Sequence, residues 1–152
     1  MRRTDKYPET DCFIYFNANP HNRMGGDCVV RAISTALDMP WETTVRELTE
    51  FGIKHGYVLN DKKCYEKYLA TKGWIKHKQP RKDDNTKLTG EEWCEHITHT
   101  SKYHRVGNII CNIGGHHAVA IIPVDDTYKV HDIWDSSDGC IGNYWTKYPE
   151  NI

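Results

Sequence analysis

The sequence lacks the marks of a secreted or membrane-bound protein. Its longest apolar stretch runs from Ala118 to Val124, which is far short of the roughly 20 apolar residues that a membrane-spanning helix requires. The first residues are polar up to Phe13, and no apolar segment behind them could act as a secretory signal. We therefore expect a cytoplasmic location and no membrane partner.

An excess of positive charge is also missing. The formal net charge is -1, so the chain has no electrostatic footprint for nucleic acid, and we expect no nucleic-acid partner. One basic run spans residues 76–82, but Asp83 and Asp84 follow it directly, which favours a solvated loop over a phosphate-binding patch. The composition, 38% hydrophobic and 27% charged, is that of one folded domain spanning residues 1–152.

The chain has six cysteines but no Cys-x-x-Cys pair. In a cytoplasmic protein these residues are expected to be thiols rather than disulfides. Cys64 and Cys111 have apolar neighbours and are predicted to be small core residues.

Support for a metal site is weak. Cys94, His96 and His99, with His104 beyond them, are residue types that bind zinc. However, Cys94 and His96 are two positions apart on a predicted helix, and side chains at that spacing point in different directions. We therefore expect neither a metal nor a cofactor.

Residues 1–26 look irregular apart from one short strand, and four helical patterns follow before Arg105. Apolar residues recur at helical spacing in four segments, and capping residues bound them. The predicted helices are one capped by Asp27 that runs to Leu37, one from Pro40 to Gly52, one capped by Asn60 and ended by Gly73, and one opened by the capping box Thr89-Gly90-Glu91-Glu92.

Strand patterns dominate the remainder. Strands are predicted at 106–113, 118–123 and 127–134, with Asp125-Asp126 as a hairpin turn, and a short strand at 12–16 precedes the helices. Residues 138–145 either wall a cleft or form a closing strand. Because helices come first and strands second, we predict an α+β fold in which N-terminal helices pack on a C-terminal antiparallel sheet, with the first helix buried.

Cys28 is the cysteine whose surroundings indicate chemistry. It begins the first predicted long helix, where unpaired N–H groups and the helix dipole favour a negative charge. A helix N-terminus and a nearby imidazolium both lower the pKa of a thiol, and the thiolate is the nucleophile. Gly25 and Gly26 leave room for a substrate carbonyl to approach the sulfur. On this segment alone, a buried structural cysteine is an equally good interpretation.

A histidine and an acid strengthen the chemical interpretation. His117 heads an apolar strand, which is an unfavourable place for an imidazole without a partner. A hairpin turning around residues 124–127 places His117 opposite residues 132–134. Asp132 could then accept a hydrogen bond from His117 and fix its tautomer. His116 and Asp135 are rivals, but strand alternation favours His117 and Asp132.

Three segments of the chain resemble one protein family. They are Gly-Asp-Cys-Val-Val-Arg-Ala-Ile, Gly-His-His-Ala-Val-Ala-Ile and Val-His-Asp-Ile-Trp-Asp-Ser-Ser, and they resemble small papain-like cysteine peptidase-fold proteins of bacteriophages and bacteria. They are more distantly similar to the bacteriocin-processing transporter peptidases, which also have an aspartate before the nucleophile. The resemblance covers about residues 17–37 and 105–146, and the region between them matches no family.

Two short motifs make the resemblance specific. Papain-like enzymes carry His-Ala-Val and then an Asn or Asp followed two residues later by Trp, and residues 117–119 and 132–134 match both patterns. The resemblance implies a papain-like fold with Cys28 as nucleophile, His117 as general base and Asp132 as the residue that orients it.

The oxyanion donor departs from the family pattern. Papain-like enzymes usually supply it from a glutamine six residues before the nucleophile, and that position is Asn22 here. Asn19 and Asn17 are alternative donors from the same loop. The backbone N–H of Cys28 is expected to be the second oxyanion donor.

Together these observations predict a cysteine-dependent acyl-transfer hydrolase: a peptidase, isopeptidase or amidase that acts on a protein or peptide through a thioester. The alternative is a catalytically silent papain-fold binding protein, such as a phage-encoded inhibitor of a host protein, in which Cys28 is incidental. A cell-wall amidase has less support, because neither a signal nor a wall-binding module is recognisable. A phage-encoded protein would act in the host cytoplasm.

Overall fold

The computed structural model describes residues 1–100 and 106–147, which contain five helices and six strands. The helices are α1 (Arg3–Lys6), α2 (Cys28–Leu37), α3 (Trp41–His55), α4 (Lys62–Thr71) and α5 (Gly90–His99). The strands are β1 (Phe13–Tyr15), β2 (Ile75–His77), β3 (Ile109–Ile113), β4 (His117–Val124), β5 (Thr127–Asp132) and β6 (Ile141–Thr146). The predicted α+β class is confirmed.

One six-stranded sheet organises the chain in the order β1-β5-β4-β3-β6-β2. The pairs within β2 to β6 are antiparallel, but β1 pairs with β5 in parallel. The expectation of a purely antiparallel, C-terminal sheet is therefore wrong. The sheet is mixed because the segment before the helices adds a strand to one edge, while Ile75–His77 adds a strand to the other.

Helices cover both faces of the sheet. The core on one face joins α2, α3 and α4 to Ile110, Ala118, Ala120 and Trp145. The core on the other face joins α5 to alternate strand residues such as Cys111, Val119 and Val130. Cys64 and Cys111 are fully buried, as predicted. The first long helix, α2, packs against β4 and buries most of its length, also as predicted.

The α2 helix begins at Cys28 and ends at Leu37, which confirms the predicted bounds. The side chain of Asp27 makes no capping hydrogen bond, contrary to expectation. Its carboxylate binds Asn19 and Trp41 instead, with Oδ2 accepting from Asn19 Nδ2 and from Trp41 Nε1 at 3.1 Å each. The residue before Cys28 is thus fixed by tertiary contacts rather than by its own helix.

Two predicted helix boundaries are wrong. The α3 helix passes Gly52 and ends at His55, and the Gly56 that follows has a φ of 83°, the left-handed conformation common after a helix C-terminus. Gly52 is needed for a close approach, because a Cβ there would lie 2.2 Å from the Tyr57 carbonyl oxygen. Asp61, not Asn60, caps α4 by accepting from the Lys63 N–H at 2.9 Å.

Other local predictions hold. The capping box at Thr89 is present, with both of its hydrogen bonds to Glu92 at 3.1 Å. Gly73 follows α4 with a φ of 82°. The hairpin between β4 and β5 turns at Asp125-Asp126, and residues 141–146 form the closing strand β6. None of the helices in the described part of the chain has the length and apolar character needed to cross a bilayer.

Candidate active site

Cys28 lies at the N-terminus of α2, half-buried between that helix and the start of β4. Hydrogen bonding by the His117 side chain and by the backbone N–H of Ala118 lowers the pKa of this thiol. The backbone N–H groups of the first helical turn, which have no intrahelical partner, lie at the same end of α2. The helix and the strand thus bring donors to the thiol from two directions.

His117 joins Cys28 to Asp132. Its Nε2 lies 2.6 Å from Asp132 Oδ2, and because an ionised carboxylate only accepts, Nε2 carries the donated proton. Nδ1 is then the ring nitrogen left for the Cys28 sulfur. The hairpin register that pairs Ala120 with His131 and Ile121 with Val130 produces this contact. The ladder itself ends at Ala120 and His131, and beyond it the His117 and Trp134 rings are in contact, at the upper end of the predicted range of 132–134.

The Asp132 carboxylate is held on several sides. Its Oδ2 also accepts from Ser136 Oγ at 2.6 Å, and its Oδ1 accepts from the Ile133 N–H at 2.7 Å. Only 3% of Asp132 is exposed. A carboxylate fixed in this way holds the His117 ring in one orientation and one tautomer.

The charges of the pair shift both pKa values toward an ion pair. Burial alone raises the pKa of Cys28, but the hydrogen bonds from His117 and Ala118, with the positive charges of His117 and Arg31, outweigh it and lower that pKa. Burial lowers the pKa of His117, but hydrogen bonds and charges from Asp132 and Cys28 outweigh it and raise that pKa to about 9. The two shifts act in the same direction, toward a thiolate that faces an imidazolium.

Trp134 covers the imidazole. The two rings stack with centroids 4.3 Å apart and an interplanar angle of 27°. An aromatic face stabilises a cation placed over it. The indole thus favours the imidazolium form of His117 and keeps water from one face of its ring.

Arg31 lies between two buried carboxylates and was not recognised from the sequence. Its Nη1 is 3.2 Å from Asp27 Oδ1, an ion pair without hydrogen-bond alignment, and its Nη2 is 4.0 Å from Asp132 Oδ1. Only 7% of Arg31 is exposed. The i,i+4 spacing of Asp27 and Arg31 was a readable signal for this pair. The guanidinium places a positive charge behind the triad, which compensates the buried acids.

The predicted oxyanion donors lie in the loop before α2, in different settings. Asn19 is buried, and its Nδ2 donates to Asp27 Oδ2 while its Oδ1 accepts from the His21 N–H at 2.8 Å. Asn22 is exposed, with a φ of 54°. Asn17 Nδ2 donates to the Arg23 carbonyl at 3.3 Å. Asn19 therefore organises the loop, and the oxyanion role of Asn22 stays a prediction.

The rival residues lie apart from this arrangement. His116 is exposed in the turn before β4. Asp135 accepts from the backbone N–H and the hydroxyl of Ser137, at 3.1 Å and 2.5 Å. Its carboxylate shapes a turn, whereas the Asp132 carboxylate faces the imidazole.

The other cysteines differ from Cys28. Burial raises the pKa of Cys12, Cys64, Cys94 and Cys111. Cys140 is exposed, and all six thiols are free. Cys28 alone combines partial exposure with donors that favour the thiolate.

No group of three or more metal-binding side chains occurs within residues 1–100 and 106–147. In α5, Cys94 is fully buried while His96 is exposed, so the two point in different directions, as predicted. His104 lies outside the described residues.

Comparison of the chain with protein-family models, with curated proteins and with solved structures found no match.

Proposed function

We propose that the protein is a cysteine-dependent acyl-transfer hydrolase of papain-like fold, acting on an amide bond of a protein or peptide in the cytoplasm. The observation that supports this most directly is the 2.6 Å contact of His117 Nε2 with Asp132 Oδ2, on a ring that also hydrogen-bonds Cys28. A nucleophile, its base and the group that orients the base are the parts that acyl transfer needs.

The reaction follows from these groups. The Cys28 thiolate attacks the substrate carbonyl carbon, a C–S bond forms, and the carbonyl π electrons move to oxygen. The His117 imidazolium then gives its proton to the leaving nitrogen as the C–N bond breaks, which leaves a thioester. Neutral His117 next takes a proton from water, the resulting hydroxide attacks the thioester, and breaking of the C–S bond restores the thiolate.

Limited alkylation tests the assignment. Iodoacetamide at pH 7 and below one equivalent should label Cys28 first, with exposed Cys140 as an internal control, as mapped by mass spectrometry. A free thiol with a pKa of about 8.5 is mostly protonated at that pH. The ester p-nitrophenyl acetate should acylate the wild-type protein at one site and leave Cys28→Ala unmodified. Preferential labelling of Cys140, with no acylation, would support the silent binding protein instead.

A further inference from the structure

A buried pair of polar side chains lies beside the nucleophile and has no place in the triad. Tyr65 of α4 and Asn112 of β3 are each 5% exposed. Asn112 Nδ2 donates to the Tyr65 hydroxyl oxygen at 3.0 Å. Because that oxygen accepts from the amide, the Tyr65 O–H is left to donate elsewhere.

The strand register places this pair next to Cys28. Asn112 is the cross-strand partner of Ala118, whose N–H donates to the Cys28 sulfur. Adjacent strands are about 4.8 Å apart. Because side chains alternate along a strand, Asn112 lies on the same face of the sheet as Ile110, which α2 and α4 cover. The core on that face also contains Tyr65 and the half-buried Cys28. Tyr65 of α4 and Cys28 of α2 thus lie on the same face of the sheet, near enough for the charge on Cys28 to raise the pKa of Tyr65.

A bulge positions the amide. The pairing of β3 with β6 shifts between Cys111 and Ile113, leaving Gly142 and Asn143 both opposite Asn112. A Cβ at Gly142 would lie 3.3 Å from Asn112 Cβ, so the glycine makes room for this side chain. β-Bulges near active sites change the direction of a side chain.

The pair also has unused hydrogen-bonding capacity. Asn112 Oδ1 is buried and has no hydrogen-bond partner among residues 1–100 and 106–147. An unsatisfied buried acceptor is unfavourable, and in a folded protein it calls for a functional explanation. Burial raises the pKa of Tyr65, and the charge on Cys28 raises it further, so the hydroxyl keeps its proton.

We propose that Tyr65 is a catalytic residue of this site: its O–H donates to the oxygen of the acyl group attached to Cys28, and Asn112 holds the hydroxyl in that direction. The inference rests on the proposed hydrolase function. As the C–S bond forms and the carbonyl π electrons move to oxygen, the Tyr65 O–H hydrogen-bonds to the oxyanion without transferring its proton. Tyr65 would supply from α4 a donor that the family pattern takes from the loop before the nucleophile.

Tyr65→Phe tests this with two probes, because alkylation by iodoacetamide forms no oxyanion while acylation by p-nitrophenyl acetate does. Loss of one oxyanion donor should slow acylation about 100-fold. The alkylation rate and its pH midpoint should stay within about twofold. Tyr68→Phe is the matched control, because Tyr68 lies on the same helix as Tyr65 but its hydroxyl is 3.3 Å from Glu47 of α3. This variant should leave both rates unchanged.

A second variant tests the positioning role of the amide. Asn112→Ala frees the Tyr65 hydroxyl without removing it, so acylation should slow by less than in Tyr65→Phe. The double variant should match Tyr65→Phe alone, because Asn112 acts through Tyr65. Thermal melts show whether each variant is folded.

The outcomes separate the two proposals. A wild-type protein that no ester acylates would overturn the hydrolase function itself. A wild-type protein that is acylated at the same rate as Tyr65→Phe would overturn only the role of Tyr65. An equal loss of alkylation and acylation in Tyr65→Phe would show that the hydroxyl stabilises the thiolate rather than the oxyanion.

Discussion

His117 faces Cys28 with one ring nitrogen and Asp132 with the other, so its removal should change the thiol directly. His117→Ala should lower the alkylation rate of Cys28 at pH 7 about tenfold or more, because His117 lowers the pKa of this thiol, and each unit by which that pKa rises in the variant costs about a factor of ten in thiolate. His116→Ala should stay within about twofold, because His116 is exposed in the turn. Iodoacetamide kinetics followed by mass spectrometry give both numbers. An equal loss of alkylation rate in the two variants would contradict the conclusion that His117, and not His116, faces Cys28.

Replacing Asp132 should change the pKa of His117 more than it changes the stability of the fold. Its carboxylate raises that pKa to about 9 together with Cys28. In Asp132→Asn an amide oxygen still accepts from Nε2 but carries no charge, so the midpoint of His117 should move to lower pH. An NMR titration of the imidazole in wild type and variant measures this shift.

The kinetic consequences of the acids should be graded. Acylation should fall most in Cys28→Ala, less in Asp132→Ala and least in Asp132→Asn, because geometry survives in the last. Asp135→Ala should have a smaller effect, because its carboxylate binds Ser137 rather than His117. If the acylation rate fell further in Asp135→Ala than in Asp132→Ala, Asp135 rather than Asp132 would be the acid that orients His117. Thermal melts check that the variants are folded.

Single residues also show what the sequence does and does not reveal. Cys28, His117 and Asp132 could be paired from a helix start and a hairpin register, because both are local patterns. The i,i+4 spacing of Asp27 and Arg31 was a readable signal for their ion pair. The approach of Arg31 to Asp132 and the contact of Tyr65 with Asn112 could not be predicted, because these partners lie on elements distant in sequence.

Among the helices and strands, α5 offers a clean test of local sequence signals. Thr89→Ala removes one half of the capping box and should destabilise the protein by about 1 kcal/mol. Thr43→Ala makes the same chemical change at an exposed position inside α3 and should change the stability little. Urea unfolding of both variants gives the difference. A cost for Thr43→Ala equal to that for Thr89→Ala would show that the capping box contributes nothing.

The elements that the sequence analysis missed have a common cause. The short strand β2 is Ile-Lys-His, with two of its three residues exposed, so no apolar run marks it. Gly52 resembles a residue that ends a helix, but the helix continues past it, and the glycine leaves room for the backbone carbonyl of Tyr57. The parallel pairing of β1 with β5 depends on chain segments far apart. Each of these features is decided by tertiary contacts that local patterns do not encode.

For the whole molecule, the N-terminal segment reaches the rear of the site. Arg3 Nε and Nη2 donate to the Ile133 carbonyl at 3.0 Å and 2.5 Å, next to Asp132. Arg3→Ala should lower the free energy of unfolding by about 1–2 kcal/mol, since hydrogen bonds from charged groups are the stronger kind. Arg2→Ala changes an exposed neighbour and serves as the control. Equal effects in urea unfolding would show that the contact with Ile133 contributes nothing.

The parallel pairing of β1 with β5 also has a consequence for the newly made chain. During synthesis β1 and Cys28 leave the ribosome long before β4 and β5. Contacts between such distant segments require large loops to close, and proteins rich in them fold slowly. Cys28 therefore emerges as an ordinary thiol, and the contacts that lower its pKa form only when the hairpin of β4 and β5 docks. The surroundings of this thiol are thus among the last features of the described sheet to form.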